Sequence, residues 1–172
     1  MKYILTFTLI LLYLNGFSQI SDADLNKLKS QVESEAIALK AKLKSNSSND
    51  VLLEFQIDTF KIESLLDKRI DLYDSTLGMI NATNDAAKEY DELLNKYYQK
   101  LLSILDDKDK PILQDAQRNW IKFRDSEFKL INLLSDDRYS GGGTIQRIIR
   151  SAKYMDVTKT RVIELVNHLP RN

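Results

Sequence analysis

The densest cluster of charged, amide and aromatic side chains has the sequence QRNWIKFRDSE and spans residues 117–127. Trp120 and Arg124 stand four residues apart, so on a helix they share one face, and the guanidinium can lie on the indole. Arg161, in a later segment, is predicted to pair with Asp125 or Glu127 across the fold. This pattern favours an aromatic core residue with inter-helix ion pairs over a binding site.

A glycine-rich segment offers a second candidate site. Free N–H groups at a helix start attract anions, and Arg147 and Arg150 lie close in sequence. No lysine follows the glycines and no strand precedes them, as a phosphate loop would require, so a flexible connection is favoured. Because binding residues concentrate on loops, this segment is still the best candidate for contacting a partner. The candidate partner-binding loop comprises Arg138, Tyr139, Ser140, Gly141, Gly142, Gly143 and Thr144.

The remaining candidate metal-binding or catalytic residues have simpler structural explanations. Asp106, Asp107 and Asp109 lack the alternating oxygen ligands, turn glycine and distal glutamate of a calcium loop, so they indicate a solvated turn that caps a helix. The single histidine, His168, is placed in the last turn of the final helix, where a cation complements the dipole. The sequence lacks the Gly-x-Ser-x-Gly and His-Glu-x-x-His motifs. It therefore predicts no catalytic, metal or cofactor site; an enzyme built on paired carboxylates is the third-ranked alternative.

The elements that position these residues are predicted to be helices, because apolar residues recur at spacings of three and four. They form an all-α antiparallel bundle of about four to five amphipathic helices. Whether the third helix breaks around residues 81–84 stays open. The predicted helices span residues 22–44, 51–73, 76–105, 112–134 and 145–169.

Helix starts and core faces follow from the same pattern. Predicted N-terminal capping residues are Asp50, Ser75 or Thr76, Asp109 and Thr144. In the first helix the apolar stripe comprises Leu25, Leu28, Val32, Ala36, Leu39 and Leu43. In the fourth it comprises Leu113, Ala116, Trp120, Phe123 and Ile131. In the last it comprises Ile145, Ile148, Ala152, Met155, Val162, Val166 and Leu169.

Composition narrows the class of protein. The 172 residues are sized for one domain, and 25 basic against 25 acidic residues leave no basic excess for nucleic acid. The absence of cysteine excludes disulfides, thiol chemistry and a lipid-modified N-terminal cysteine. Residues 1–19 combine Lys2, an apolar run of about a dozen residues and a small-residue cleavage site, which predicts a signal peptide. The mature chain is therefore predicted to be exported, periplasmic or secreted, without a membrane span.

A set of motifs in fixed order resembles the N-terminal family of the lysozyme inhibitor LprI, small exported bacterial helical proteins. The resemblance covers about residues 75–169, and Gln-x-x-Trp followed by Arg-Asp is its most specific part. Together with the glycine pair, the residues that carry it are Thr76, Met79, Asn95, Tyr98, Gln117, Trp120, Arg124, Asp125, Glu127, Thr158 and Arg161. We interpret these residues as structural. Family members usually carry cysteines near Ala82, Phe128 and 152–153, so here packing alone must hold the helices.

The resemblance implies a binding protein that blocks a lysozyme, and it divides the chain into three parts. Residues 1–19 are the signal peptide, 20–74 a helical pair packed on or appended to the domain, and 75–172 the family domain. In the first hypothesis the candidate loop occupies the lysozyme cleft, with Arg138 meeting a carboxylate and Tyr139 filling a sugar subsite. The alternative is an envelope adaptor that docks another protein through the stripe on residues 25–43.

Overall fold

The structure, a computed structural model, describes residues 20–45, 49–73 and 75–170, and within these ranges it is helical without strands. The all-α prediction is confirmed, with a short sixth helix added. Residues 1–19, including the predicted signal peptide, lie outside the described residues. The helices are α1 Asp22–Lys44, α2 Asp50–Leu72, α3 Thr76–Ile104, α4 Lys110–Leu134, α5 Asp137–Ser140 and α6 Ile145–Asn167.

Long helices that follow one another along the chain run antiparallel. Between α2 and α3, Glu54 pairs with Lys100 at one end and Arg69 with Asp85 at the other. The most extensive packing is between α3 and α6, which are parallel because α4 carries the chain back between them. Helix α4 itself packs mainly on α6, and α1 packs on α2. The bundle is therefore antiparallel between neighbours in sequence and parallel at its centre.

Side-chain caps explain where the first three helices begin. Oxygens of Ser21, Asn49 and Ser75 accept hydrogen bonds from backbone N–H groups three residues on, each satisfying a donor that the helix leaves unpaired. Of the two residues predicted to cap α3, Ser75 is the cap and Thr76 is the first helical residue. The prediction of Asp50 was wrong, because Asn49 caps α2 and Asp50 is its first residue. Asp109 and Thr144 occupy the predicted N-cap positions but make no side-chain cap bond, since both already have right-handed helical backbone angles.

The main core lies where α2, α3 and α6 meet. Tyr90 and Tyr97 of α3 are completely buried in it, and their hydroxyls donate to carboxylates of α2. A smaller cluster joins Ala36 of α1 to α2. Ala82 and Thr83 are buried and α3 is continuous across them, which settles the open question of a break. The buried residues of the main core are Ile62, Ala86, Tyr90, Leu93, Leu94, Tyr97, Leu101, Val162, Leu165, Val166 and Leu169.

Three residues predicted to face the core are exposed. Phe123 is 56% exposed, Ala116 is also exposed, and Ile145 at the start of α6 is 54% exposed. Because α4 contacts chiefly one neighbour, only a narrow stripe of it is covered. That stripe includes Leu113, Trp120 and the buried Ile131. Within the described ranges, no helix combines the length and the continuous apolar character that a membrane span requires.

Candidate functional site

The tryptophan–arginine cluster joins α4 to α6 through Trp120, a partly buried residue at the edge of the main core. The guanidinium of Arg124, one turn along α4, lies 5.6 Å from the centre of the indole. That of Arg161, from α6, lies 5.9 Å away. The prediction that Arg124 lies on Trp120 is confirmed, and a second cation from another helix completes the arrangement.

The polar partners of the two arginines differ from the predicted ones. Arg161 donates from Nε to Gln117 Oε1 at 3.2 Å, and from Nη1 to Glu164 Oε2 at 2.9 Å. Its predicted pairing with Asp125 or Glu127 is wrong, because Glu164 lies one turn along the same helix. Asp125 instead accepts from the adjacent Arg124 at 2.9 Å.

A groove of about 470 Å³ separates α3 from α4 beside this cluster. Asn95 and Tyr98 line it from α3, and Gln117 and Arg124 line it from α4. Arg124 also approaches Asp91 of α3 at 3.9 Å, which ties the two walls together. Four of the residues that carry the family resemblance therefore meet on one surface, although two separate helices contribute them.

The remaining motif residues lie elsewhere in the bundle. Thr76 is the first residue of α3, and the backbone N–H of Met79 donates to the carbonyl of Ser75. Thr158 is buried within α6, while Glu127 is partly buried on α4. These positions are compatible with structural roles at a helix start and in packing.

The candidate loop is more ordered than a flexible connection. Asp137–Ser140 form the one-turn helix α5, capped by Asp136, where the sequence predicted a loop. The glycines that follow have φ angles of 78°, 78° and 93°, the left-handed region that glycine adopts without steric cost. The chain can therefore turn sharply from α5 into α6.

Arg138 and Tyr139 present a cation and an aromatic ring on this turn. The Tyr139 side chain is 59% exposed, and the Arg138 guanidinium lies 5.5 Å from its ring centre. Arg138 Nε also donates to Asp136 Oδ1 at 2.8 Å. This hydrogen bond lowers the pKa of Asp136 and raises that of Arg138, so both groups are charged at neutral pH.

A cleft of about 690 Å³ opens beside the candidate loop, at the end of the bundle where α3 and α6 begin. Gly143 forms part of its rim, Leu77 and Ile80 form an apolar wall from α3, and Arg147 and Arg150 line it from α6. The sequence placed the two arginines near the glycines. It gave no local signal for Leu77 and Ile80, which are remote in the chain and arrive only through the parallel packing of α3 on α6.

These features suit recognition of another molecule. Among the described residues no cluster of three potential metal ligands occurs. The two surfaces combine aromatic rings and guanidinium groups, the side chains that contribute most to protein–protein contacts, with amide groups beside them. Fold and surface together define a class, the helical bundles with candidate surfaces for binding another molecule.

The chain belongs to the lysozyme inhibitor LprI family, which matches residues 71–165, more than half of its length. The matched region begins at the end of α2 and includes α3, α4, the candidate loop and most of α6. The resemblance noted from the motifs is therefore confirmed. Comparison with curated proteins and with solved structures gave no match.

Proposed function

We propose that this protein is an exported binding protein that inhibits a lysozyme. Membership of the lysozyme inhibitor LprI family is the single observation that carries the proposal. The matched residues contain both candidate surfaces, the tryptophan–arginine cluster with its groove and the candidate loop with its cleft. In this proposal the chain acts by binding and performs no catalysis.

The proposed mechanism is occlusion of the substrate cleft by the candidate loop. A lysozyme cleft carries two carboxylates that work on the glycosidic bond, so it attracts a cation, and its subsites are large enough to hold a sugar ring. Arg138 supplies a cation and Tyr139 an exposed ring, on a turn that three glycines allow the backbone to make. Arg138 would face a carboxylate and Tyr139 would fill a sugar subsite.

The first test is titration of purified residues 20–172 into a lysozyme turbidity assay, with calorimetric binding measured in parallel. We expect inhibition that saturates at a one-to-one ratio, because one loop fills one cleft. Lysozymes of several structural types belong in the assay, since the family does not specify the type. Absence of both binding and inhibition with every type would refute the proposal.

The second test locates the contact surface. The double variant Arg138→Ala/Tyr139→Ala removes the loop's cation and ring, and we expect its inhibition to weaken about tenfold or more. The matched control is Ile37→Ala/Lys40→Ala, which removes an exposed apolar side chain and an exposed cation from α1, outside the family match. Equal inhibition by a folded loop variant and the wild type would exclude loop occlusion while leaving inhibition itself intact.

Export is a separate part of the proposal and has its own test. We propose that residues 1–19 direct the chain out of the cytoplasm and are then removed. Expression of residues 1–172 in bacteria, followed by fractionation and N-terminal sequencing, should find the chain outside the cytoplasm beginning near Gln19 or Ile20. Retention of Met1 on cytoplasmic protein would contradict this.

An envelope adaptor remains the second candidate, and one observation favours it. The predicted docking stripe on α1 is engaged in packing, since Val32 and Ala36 are buried. Helix α4, however, exposes a row of large apolar side chains, and exposed apolar surface marks interaction sites. These are Ile112, Phe123, Leu130, Leu133 and Leu134. The adaptor would be supported if the chain inhibited no lysozyme but bound another envelope protein, and if Phe123→Ser/Leu130→Ser abolished that binding while the loop variant did not.

A further inference from the structure

Two arginines differ from all the others in the described part of the chain. Seven arginines are described there, and five of them pair with a carboxylate: Arg69, Arg118, Arg124, Arg138 and Arg161. The two without an ion pair among the described residues are Arg147 and Arg150. Both line the same cleft at the start of α6. A guanidinium presents several N–H donors in a rigid fork that matches a carboxylate, so this pair is available to an incoming anion.

The cleft holds the pair in a specific setting. Arg147 and Arg150 are three residues apart on α6 and therefore neighbours on its surface. Leu77 and Ile80 of α3 face the same space and provide an apolar wall. One carboxylate, Asp137, also lines the cleft but lies beyond ion-pair distance of both guanidiniums, and the backbone of Gly142 packs beside it. The cleft therefore carries a net positive charge next to apolar surface.

We propose that this cleft binds a carboxylate of the protein partner, with Arg147 and Arg150 holding the carboxylate and Leu77 and Ile80 covering an adjacent apolar side chain. The inference rests on the proposed function for the partner's identity, and it names the chemistry of the contact. The partner segment is acidic, with an aspartate or glutamate beside an apolar residue.

This site lies beside the candidate loop, and its two arginines are more available to a partner's carboxylate than Arg138 is. Arg138 must leave Asp136, to which it donates at 2.8 Å, before it can meet a partner's carboxylate. Arg147 and Arg150 have no such interaction to break with any carboxylate in the described part of the chain. Because Gly143 and Thr144 belong to both the loop and the cleft lining, a partner that contacts the loop also reaches the arginine pair.

The first experiment compares lysozyme dissociation constants of substituted full-length mature chains. We expect Arg147→Gln/Arg150→Gln to weaken binding about tenfold or more. The matched control, Lys40→Gln/Lys42→Gln, removes two exposed cations from α1 outside the family match and should leave binding unchanged. The variant Arg147→Lys/Arg150→Lys should recover part of the loss, since it restores charge without the guanidinium fork. If the wild type binds and Arg147→Gln/Arg150→Gln binds equally well, the inference is wrong and the proposed function stands.

The second experiment needs no lysozyme, so it can test this inference even if the proposed lysozyme inhibition fails. The probe is N-acetyl-aspartyl-leucine amide, and its uncharged control is the asparaginyl analogue. In an NMR titration we expect saturable shifts of the Nε–Hε signals of Arg147 and Arg150 with the first probe only. Equal shifts at the five paired arginines, or no shifts, would overturn the inference. Stronger shifts with inorganic phosphate or anionic lipid vesicles than with the peptide would overturn it in favour of a phosphate ligand.

Discussion

The hydroxyl of Tyr90 on α3 donates a 2.7 Å hydrogen bond to Glu63 Oε1 on α2. Lys159 of α6 donates to the same oxygen at 2.5 Å, so one carboxylate joins the three helices that form the main core. The Tyr90 side chain is completely buried, and its hydroxyl would otherwise lack a partner. Burial and the hydrogen bond to Glu63 raise the pKa of Tyr90 well above its usual range, so the phenol stays protonated.

Substitution of Tyr90 should show how much its hydrogen bond to Glu63 contributes to stability. Tyr90→Phe preserves the ring and deletes the donor, and we expect it to lower the free energy of unfolding by about 1–2 kcal/mol. Urea unfolding followed by circular dichroism would give the value. Tyr98→Phe is the matched control, because Tyr98 is only partly buried at the groove. Equal effects of the two substitutions would show that the bond to Glu63 contributes nothing specific.

Glu63 and Glu89 should change the free energy of unfolding in opposite directions as the pH falls. Burial would raise the pKa of Glu63, but the hydrogen bonds from Lys159 and Tyr90 outweigh burial and hold it below its ordinary value of 4.5. Burial raises the pKa of Glu89, and the charges of Glu92 and Asp85 add to this against the opposing charges of Lys29 and Arg69. Glu63 therefore stabilises the fold above pH 4.5 and loses this effect as pH falls through its lowered pKa. Glu89 destabilises the fold at neutral pH and ceases to do so in acid.

The measurement is urea unfolding of Glu63→Gln and Glu89→Gln between pH 3 and pH 7. At pH 7 we expect Glu63→Gln to be less stable than the wild type and Glu89→Gln more stable. Both differences should shrink as the pH falls, because protonation makes the wild-type carboxyls neutral, as the glutamine amide already is. Differences that do not change with pH would show that packing, rather than ionisation, causes them.

The tryptophan–arginine cluster should contribute mainly to stability. Trp120→Ala removes a partly buried ring that contacts two guanidiniums, and we expect a loss of about 3 kcal/mol in the free energy of unfolding. Phe123→Ala, an exposed aromatic residue on the same helix, should cost about 0.5 kcal/mol. Thermal unfolding by circular dichroism compares them. A Trp120→Ala chain of normal stability that no longer bound lysozyme would instead place the cluster in the binding surface.

Replacement of Gly78 by alanine should destabilise the fold, although alanine has the higher helix propensity. A Cβ at this position would lie 2.9 Å from Ser75 Oγ and 3.1 Å from the Tyr73 carbonyl oxygen. The Ser75 oxygen accepts from the N–H of Gly78, so its displacement disrupts the cap of α3. We expect Gly78→Ala to destabilise by about 1 kcal/mol. Asn84→Ala, at an exposed site of α3, should be neutral or stabilising by a few tenths of a kcal/mol, and a similar gain at Gly78 would contradict the clash.

Deletion of residues 20–74 should unfold the rest of the chain. Helix α2 contributes Ile62 to the main core, and its Asp58 and Glu63 accept hydrogen bonds from Tyr97 and Tyr90. Without α2, these hydroxyls lose their partners and the core is exposed. We expect residues 75–172 to aggregate or to lack a cooperative thermal transition by circular dichroism. A soluble, cooperatively folding remainder would instead identify residues 20–74 as an appended element.

The five long helices and several contacts within them were predictable from the residue pattern, whereas the one-turn helix α5 was not. The apolar spacing located α1 at its observed bounds, and the pair Ser75 and Thr76 marked the start of α3. The stacking of Arg124 on Trp120 was predictable because a separation of four residues places two side chains on the same helix face. The motifs likewise identified the family that the comparison confirmed.

Which helix faces contact one another could not be predicted from the residue pattern, because it depends on the packing of the whole bundle. The apolar spacing could not show that Phe123 and Ile145 are exposed, because that depends on how many neighbours α4 and the start of α6 have. Nor could it bring Leu77 beside Arg147, since that contact requires α3 and α6 to lie parallel. The rotation and rise of a helix position residues a few places apart, whereas the register between helices depends on the packing of the whole core.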